Sequence, residues 1–148
     1  MIQFNISHSH GLALCAVAHK REVGVDLEYI HADYSFGSIA GQFFSQREVS
    51  SLNSFPEHLR LNQFFKLWTR KEACLKAQGK GLTVDLNEID VYSVAEDACP
   101  LIQLNENAQK TTVLSLRDLD IGADYAAAVA AEGNDWTLKC WRWDNRLS

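Results

Sequence analysis

The pattern that most restricts this chain is a run of apolar residues at helical spacing. Across residues 57–78, Leu61, Phe64, Phe65, Trp68 and Leu75 recur with Glu72 at intervals of three and four, which predicts one long amphipathic helix. Pro56 near its start and Gly79 just past its end fit the usual placement of proline at helix N-termini and glycine at C-termini. On both sides the pattern changes. Residues 2–6, 12–18 and 23–28 read as strands before the helix; 88–94, 111–116, 125–131 and 136–143 read as strands after it. In 23–28, Val23, Val25 and Leu27 alternate with Gly24, Asp26 and Glu28, a period of two. Residues 34–44 predict a helix. Residues 46–52 predict another, with Ser45 as N-cap and Glu48 three positions later in a capping-box pattern. Strands, then helices, then strands imply an α+β fold: an antiparallel sheet packed against a long helix. At 148 residues and 47% apolar, residues 1–148 suit a single domain that builds its core without disulfide or metal staples.

Several function classes fall away. The longest apolar runs, 12–18 and 125–131, are seven residues each, against roughly 20 for a membrane-spanning helix. The first Lys or Arg is Lys20, so no basic leader region is visible and a cytoplasmic location is expected. Cys15, Cys74, Cys99 and Cys140 form no CxxC pair and read as reduced thiols, Cys15 and Cys140 as small core residues. A net charge of −5 argues against general nucleic-acid binding. The charge is uneven, however. Residues 57–80 hold Arg60, Lys66, Arg70, Lys71, Lys76 and Lys80 against Glu57 and Glu72, a net of +4. That is either a solvated helix face or a site for an anionic ligand or partner.

The chemistry concentrates in few places. Asp26 and Glu28, two apart on a strand, project from one face. They are either two solvated acids on an edge strand or a pair that needs a cation between them; Mg²⁺ suits one or two carboxylates completed by phosphate oxygens and water. Trp68, Glu72 and Lys76 share one helical stripe. A carboxylate on such a stripe needs compensation, either Lys76 as an ion pair or a metal ion shared with Asp26 and Glu28. In the segment 4–11, FNISHSHG, His8 and His10 lack a third ligand for zinc. A hydroxyl followed by His at a strand end suits either structural hydrogen bonding or phosphate contact. Gly79-Lys80-Gly81 follows a helix and lacks the P-loop spacing. The aromatic, basic stretch 136–143 reads as a packed strand.

In this order, FNISHSHG at 4–11, VGVDLE at 23–28, FFSQRE at 43–48 and LWTRKEACLKAQGKGL at 67–82 resemble the 4'-phosphopantetheinyl transferase superfamily. That family moves 4'-phosphopantetheine from coenzyme A to a serine of a carrier protein and releases 3',5'-bisphosphoadenosine. The resemblance implies that Asp26, Glu28 and Glu72 hold Mg²⁺ against the coenzyme A diphosphate. It further implies that Lys76 and Lys71 contact phosphates, that Ser7 and His8 lie against the coenzyme's phosphates or nucleotide, and that Glu72 deprotonates the incoming serine. The nucleophile belongs to the partner, so neither a catalytic serine nor a role for Cys74 is expected.

Because the Ser-His segment precedes the acidic strand, and Trp68 precedes the Lys-Glu pair, the chain resembles the second, C-terminal half of the two-half, Sfp-type enzymes. The resemblance covers no counterpart of their first half. Three expectations follow: self-association, so that a neighbouring chain completes the coenzyme cleft; a separately supplied first half; or a relic without transfer activity. The functional expectation is Mg²⁺-dependent transfer to an acyl or peptidyl carrier protein. The alternative is a non-catalytic or incomplete half that binds coenzyme A, a carrier protein or a first half. The +4 helix is the expected docking surface for an acidic carrier.

Overall fold

The computed structural model describes residues 1–78, 85–92, 100–107 and 110–143. Strands β1 (Ile2–Ser9) and β2 (Leu12–His19) form an antiparallel hairpin. Its two-residue link, His10-Gly11, has positive φ at both positions, 50° and 81°, which matches the right-handed twist of the flanking strands. Strand β3 (Val23–Tyr29) is the edge of a four-stranded sheet. With β4 (Leu101–Asn107), β5 (Lys110–Asp118) and β6 (Tyr125–Glu132) its order is β3-β6-β5-β4, antiparallel throughout. Among the described residues, three α-helices lie between β3 and β4: α1 (Gly37–Phe43), α2 (Gln46–Ser54) and α3 (Glu57–Ala77). The α+β architecture, with an antiparallel sheet packed on a long helix, is as the sequence implies. Among the described residues, no helix is long and apolar enough to cross a membrane.

Helix α3 organises the core. Phe64 is buried among the rings of Phe36, Phe44, Phe65 and Trp68, at centroid distances of 4.9, 5.3, 5.3 and 6.1 Å. Such pairs add attraction beyond area burial. Further along, Ala73 and Ala77 lie on β3 at Gly24. A methyl group on Gly24 would overlap the Ala73 carbonyl oxygen and the Ala77 amide nitrogen. The helix backbone therefore rests directly on the strand. The neighbouring strand keeps the same low profile, because Gly24, Asp26 and Glu28 pair with Ala130, Ala128 and Ala126 of β6.

A buried ion pair ties the helices together. Ser45 caps α2: its hydroxyl accepts from the Glu48 amide, and the Glu48 carboxylate accepts from the Ser45 amide. Glu48 also meets the Lys71 ammonium at 2.8 Å and accepts from the Val91 amide at 2.8 Å. Both charged side chains are fully buried. Lys71 donates further to the carbonyls of Leu86 and Ile89.

This explains one departure from expectation. Residues 88–94 read as a strand in the sequence, and Ile89 and Val91 are indeed buried on either side of half-buried Asp90. Their described part has no ladder; it leaves a 3₁₀ turn (Leu86–Glu88), and Lys71, Glu48 and Arg70 side chains claim its backbone groups. Ser93 and Val94 lie outside the described residues, as do Gly79, Lys80 and Cys99. The stretch 136–143 is likewise no strand. Beyond Gly133 (φ 80°) it leaves β6, whose two edges are already taken by β3 and β5, and joins no ladder. Trp141 and Trp143 are almost fully exposed, whereas Trp136 packs under the Arg117 guanidinium, 5.1 Å from its ring centroid. Strand β4 was not expected; its signal is only the buried pair Ile102 and Leu104. Cys15 and Cys140 are exposed rather than core residues. Cys15 faces outward opposite Ile6 on the hairpin, and Cys140 lies in the unpaired tail.

The contact at Gly24 makes a direct prediction. Gly24→Ala should lower the unfolding free energy by about 3 kcal/mol, the upper end of overpacking costs, in urea titrations. A loss below about 0.5 kcal/mol would show that the helix does not seat on the strand as described.

Candidate active site

The close approach of α3 brings the sequence's acidic pair and its helical stripe together. Val23, Val25 and Leu27 are buried on the side of β3 away from α3, with Val23 packed against Ala16 and Ala18 of the hairpin. Gly24, Asp26 and Glu28 face the helix. Lys76 extends over the strand edge: its ammonium donates to Asp26 Oδ1 at 3.0 Å and to the Val25 carbonyl at 3.1 Å. Ser7 of β1 approaches from the other side, its hydroxyl 3.3 Å from the same Oδ1. Asp26 Oδ2 is buried and has no partner.

The electrostatics fit a site short of positive charge. Burial raises the Asp26 pKa, and the contacts with Lys76, Ser7 and Glu28 only partly offset it. Burial, then the charges of Asp26 and Glu72, push Glu28 up to about 7. Glu72 is raised by burial and then by Asp26. Of the two compensations open to Glu72, the Lys76 ammonium is instead placed on Asp26. Three partly buried hard oxygen donors, two of them raised further by the Asp26 charge and one with a free buried oxygen, suit a divalent cation. Among the described residues no group of three such side chains stands converged on one point, so closing around an ion requires side-chain rotation.

The remaining expected residues lie elsewhere. Lys71, expected against phosphate, is fully enclosed with Glu48 and two carbonyls. Burial lowers its pKa, its partners oppose that shift, and its ammonium does not reach the cluster. Ser7 is buried, its hydroxyl engaged by Asp26 and by the Leu27 amide at 3.0 Å. His8 is exposed and points to the opposite face of β1. The +4 segment is not an uncompensated basic strip. Arg70 forms a bidentate pair with Asp118 at 2.7 and 2.6 Å, Lys66 stands 3.6 Å from Asp118, and Arg60 donates to the Asn53 and Phe55 carbonyls. Burial pushes the Cys74 thiol up to about 12, which leaves it inert at neutral pH. Sequence reasoning passed over Gly24, Asn5 and Ser9. The available signals were a glycine inside an apolar strand and polar residues alternating at 5, 7 and 9.

Residues 22–130 match the family model described as the 4'-phosphopantetheinyl transferase superfamily. The chain belongs to this superfamily. The matched span contains Asp26, Glu28, Glu72 and Lys76. Among curated phosphopantetheinyl transferases, the chain is 39% identical over 140 residues to 4'-phosphopantetheinyl transferase HetI of Nostoc sp. strain PCC 7120, covering 95% of this chain and 56% of that one. It is 29% identical over 133 residues to 4'-phosphopantetheinyl transferase Sfp of Bacillus subtilis strain 168, covering 90% and 56%. The chain thus spans about half the length of these relatives. The apo-ACPS structure of Chronobacterium ammoiniagenes shares the fold, with a TM-score of 0.55 and 23% identity, covering 76% of this chain and 95% of that one.

Glu28 supplies a pH prediction. Its folded pKa of about 7 lies above the ordinary 4.5, so the folded chain keeps a proton that the unfolded chain releases. Its contribution to stability is full below the lower value and is lost as pH rises through the upper one. Urea unfolding in chelator should show this decline, and Glu28→Gln should flatten it. An unchanged slope would contradict the coupling.

Proposed function

We propose that this chain transfers 4'-phosphopantetheine from coenzyme A to a serine of an acyl or peptidyl carrier protein, with Mg²⁺ as cofactor, in the cytoplasm. The observation that carries the reading is the free, buried Asp26 Oδ2 beside Glu28, Glu72 and Lys76, in a chain of this superfamily. Asp26, Glu28 and Glu72 would hold the ion, which when bound supplies charge neutralisation at the diphosphate. Lys76 places a second positive charge at the same point and orients the phosphate. The carrier serine oxygen bonds to the phosphorus bearing pantetheine, the diphosphate bridge breaks, and 3',5'-bisphosphoadenosine leaves. Glu72 takes the serine proton, a carboxylate beside the site where the serine hydroxyl would arrive.

Incubation with Mg²⁺, coenzyme A and an apo carrier protein should add phosphopantetheine to the carrier, read by intact mass. Asp26→Asn should lower the rate by about 10²-fold or more. No adduct at high enzyme concentration would overturn autonomous transfer.

One observation favours a second reading, in which the chain is incomplete alone. The outward face of the hairpin presents Ile2, Phe4, Ile6 and Val17, each more than half exposed. A contiguous apolar face of this kind usually marks association. A second copy of the chain is the proposed occupant, with a separate first half as the other outcome. Sedimentation velocity should show a dimer or larger species that Phe4→Glu dissociates. A monomer at high concentration would defeat self-association, and coenzyme A binding in calorimetry without turnover would mark a binding half.

A further inference from the structure

The edge of β3 is closed by side chains rather than by another strand. Its pairing with β6 uses one edge; on the other, the amides of Val25, Leu27 and Tyr29 need acceptors. Asn5 Oδ1, Ser7 Oγ and Ser9 Oγ supply them, at 2.9, 3.0 and 2.9 Å. Each bond advances two residues on both strands, so β1 runs parallel to β3 with three side chains replacing a backbone ladder. The three acceptors do not do the same work. Asn5 and Ser9 meet only the strand amide among the bonds described. Ser7 also has a hydroxyl proton, and it points at Asp26 Oδ1.

From this we infer that Ser7 is a positioning residue for the acidic site: it holds Asp26 Oδ1 so that Oδ2 stays free for a divalent cation. The Leu27 amide occupies a lone pair of the Ser7 oxygen and directs its proton toward the carboxylate. Ser7 and Lys76 together engage Oδ1 and leave Oδ2 bare. Since one carboxylate cannot turn about two fixed contacts, the free oxygen keeps its direction. Removing a partner that fixes ligand orientation commonly costs about 10- to 100-fold in cation affinity. The inference rests on the proposed cation site, but it concerns a contact present without the ion.

The test compares Ser7→Ala, Ser7→Thr, Asn5→Ala and Ser9→Ala in the full chain. Mn²⁺ serves as the probe, read by electron paramagnetic resonance of the free ion. Ser7→Ala should weaken Mn²⁺ binding about tenfold, the order expected for a hydrogen bond to a charged group. Ser7→Thr, which keeps the hydroxyl, should restore most of it. Asn5→Ala and Ser9→Ala should lower the melting temperature yet leave Mn²⁺ affinity within about twofold. Equal weakening by all three alanine variants, or no rescue by threonine, would overturn the assignment, because either result makes Ser7 a strand tether only. If the unaltered chain binds no Mn²⁺, the proposed cation site fails, and ion-free crystal structures decide the positioning claim separately. Asp26 should leave its rotamer in Ser7→Ala and keep it in Ser9→Ala; an unmoved Asp26 in Ser7→Ala would refute the role.

Discussion

The arrangement depends on how closely α3 approaches β3. Ordinary helices stand about 10 Å from a sheet because side chains separate them. Here Gly24 has none, and Ala73 and Ala77 present almost none. That lets Lys76 extend past the edge of the strand and reach both the Val25 carbonyl and Asp26. It also sets Glu72 within the electrostatic influence of Asp26 and Glu28. Three carboxylates would not gather for their own sake, since burial raises the pKa of each and the Asp26 charge raises those of Glu28 and Glu72 further. Backbone proximity imposes the repulsion, and packing elsewhere in the core holds it in place. Such local cost at a functional site is expected where the surrounding structure over-determines it.

The buried Lys71–Glu48 pair does part of that holding. A buried ion pair contributes little net stability compared with an apolar substitute, but it is costly to break. This one satisfies the Ser45 and Val91 amides and two carbonyls besides. It therefore fixes the start of α2, the middle of α3 and residues 86–91 against one another. Lys71 and Glu72 adjoin in sequence, yet the helix turns them apart, one inward to structure and the other toward the strand.

These residues also show what was legible in the sequence and why. The order of strands and helices through α3 could be read because apolar period and capping chemistry are local: Ser45 and Glu48 form the box their spacing implies. Asp26, Glu28, Glu72 and Lys76 were singled out because charge on an otherwise apolar pattern is conspicuous. Lys71 misled for the opposite reason; its identity suits phosphate, and only three-dimensional packing reveals Glu48 opposite it. Ile89 and Val91 show the same limit, since alternating burial does not say whether a strand or a side chain bonds the backbone. Ser7 was noticed for its hydroxyl, but that its partners are a carboxylate nineteen and an amide twenty positions away depends on tertiary pairing.

The side-chain closure of β3 has a consequence for the chain outside its site. An open strand edge is a template on which further strands add, and proteins protect such edges with charges, bulges or cover. Here protection comes from three uncharged groups whose reach is no longer than a side chain. Detaching the hairpin would expose the amides of Val25, Leu27 and Tyr29 in an apolar strand, the conditions for intermolecular β-addition. Edge protection and site geometry thus meet in the Ser7 hydroxyl, which answers to both, while positions 5 and 9 serve the edge alone.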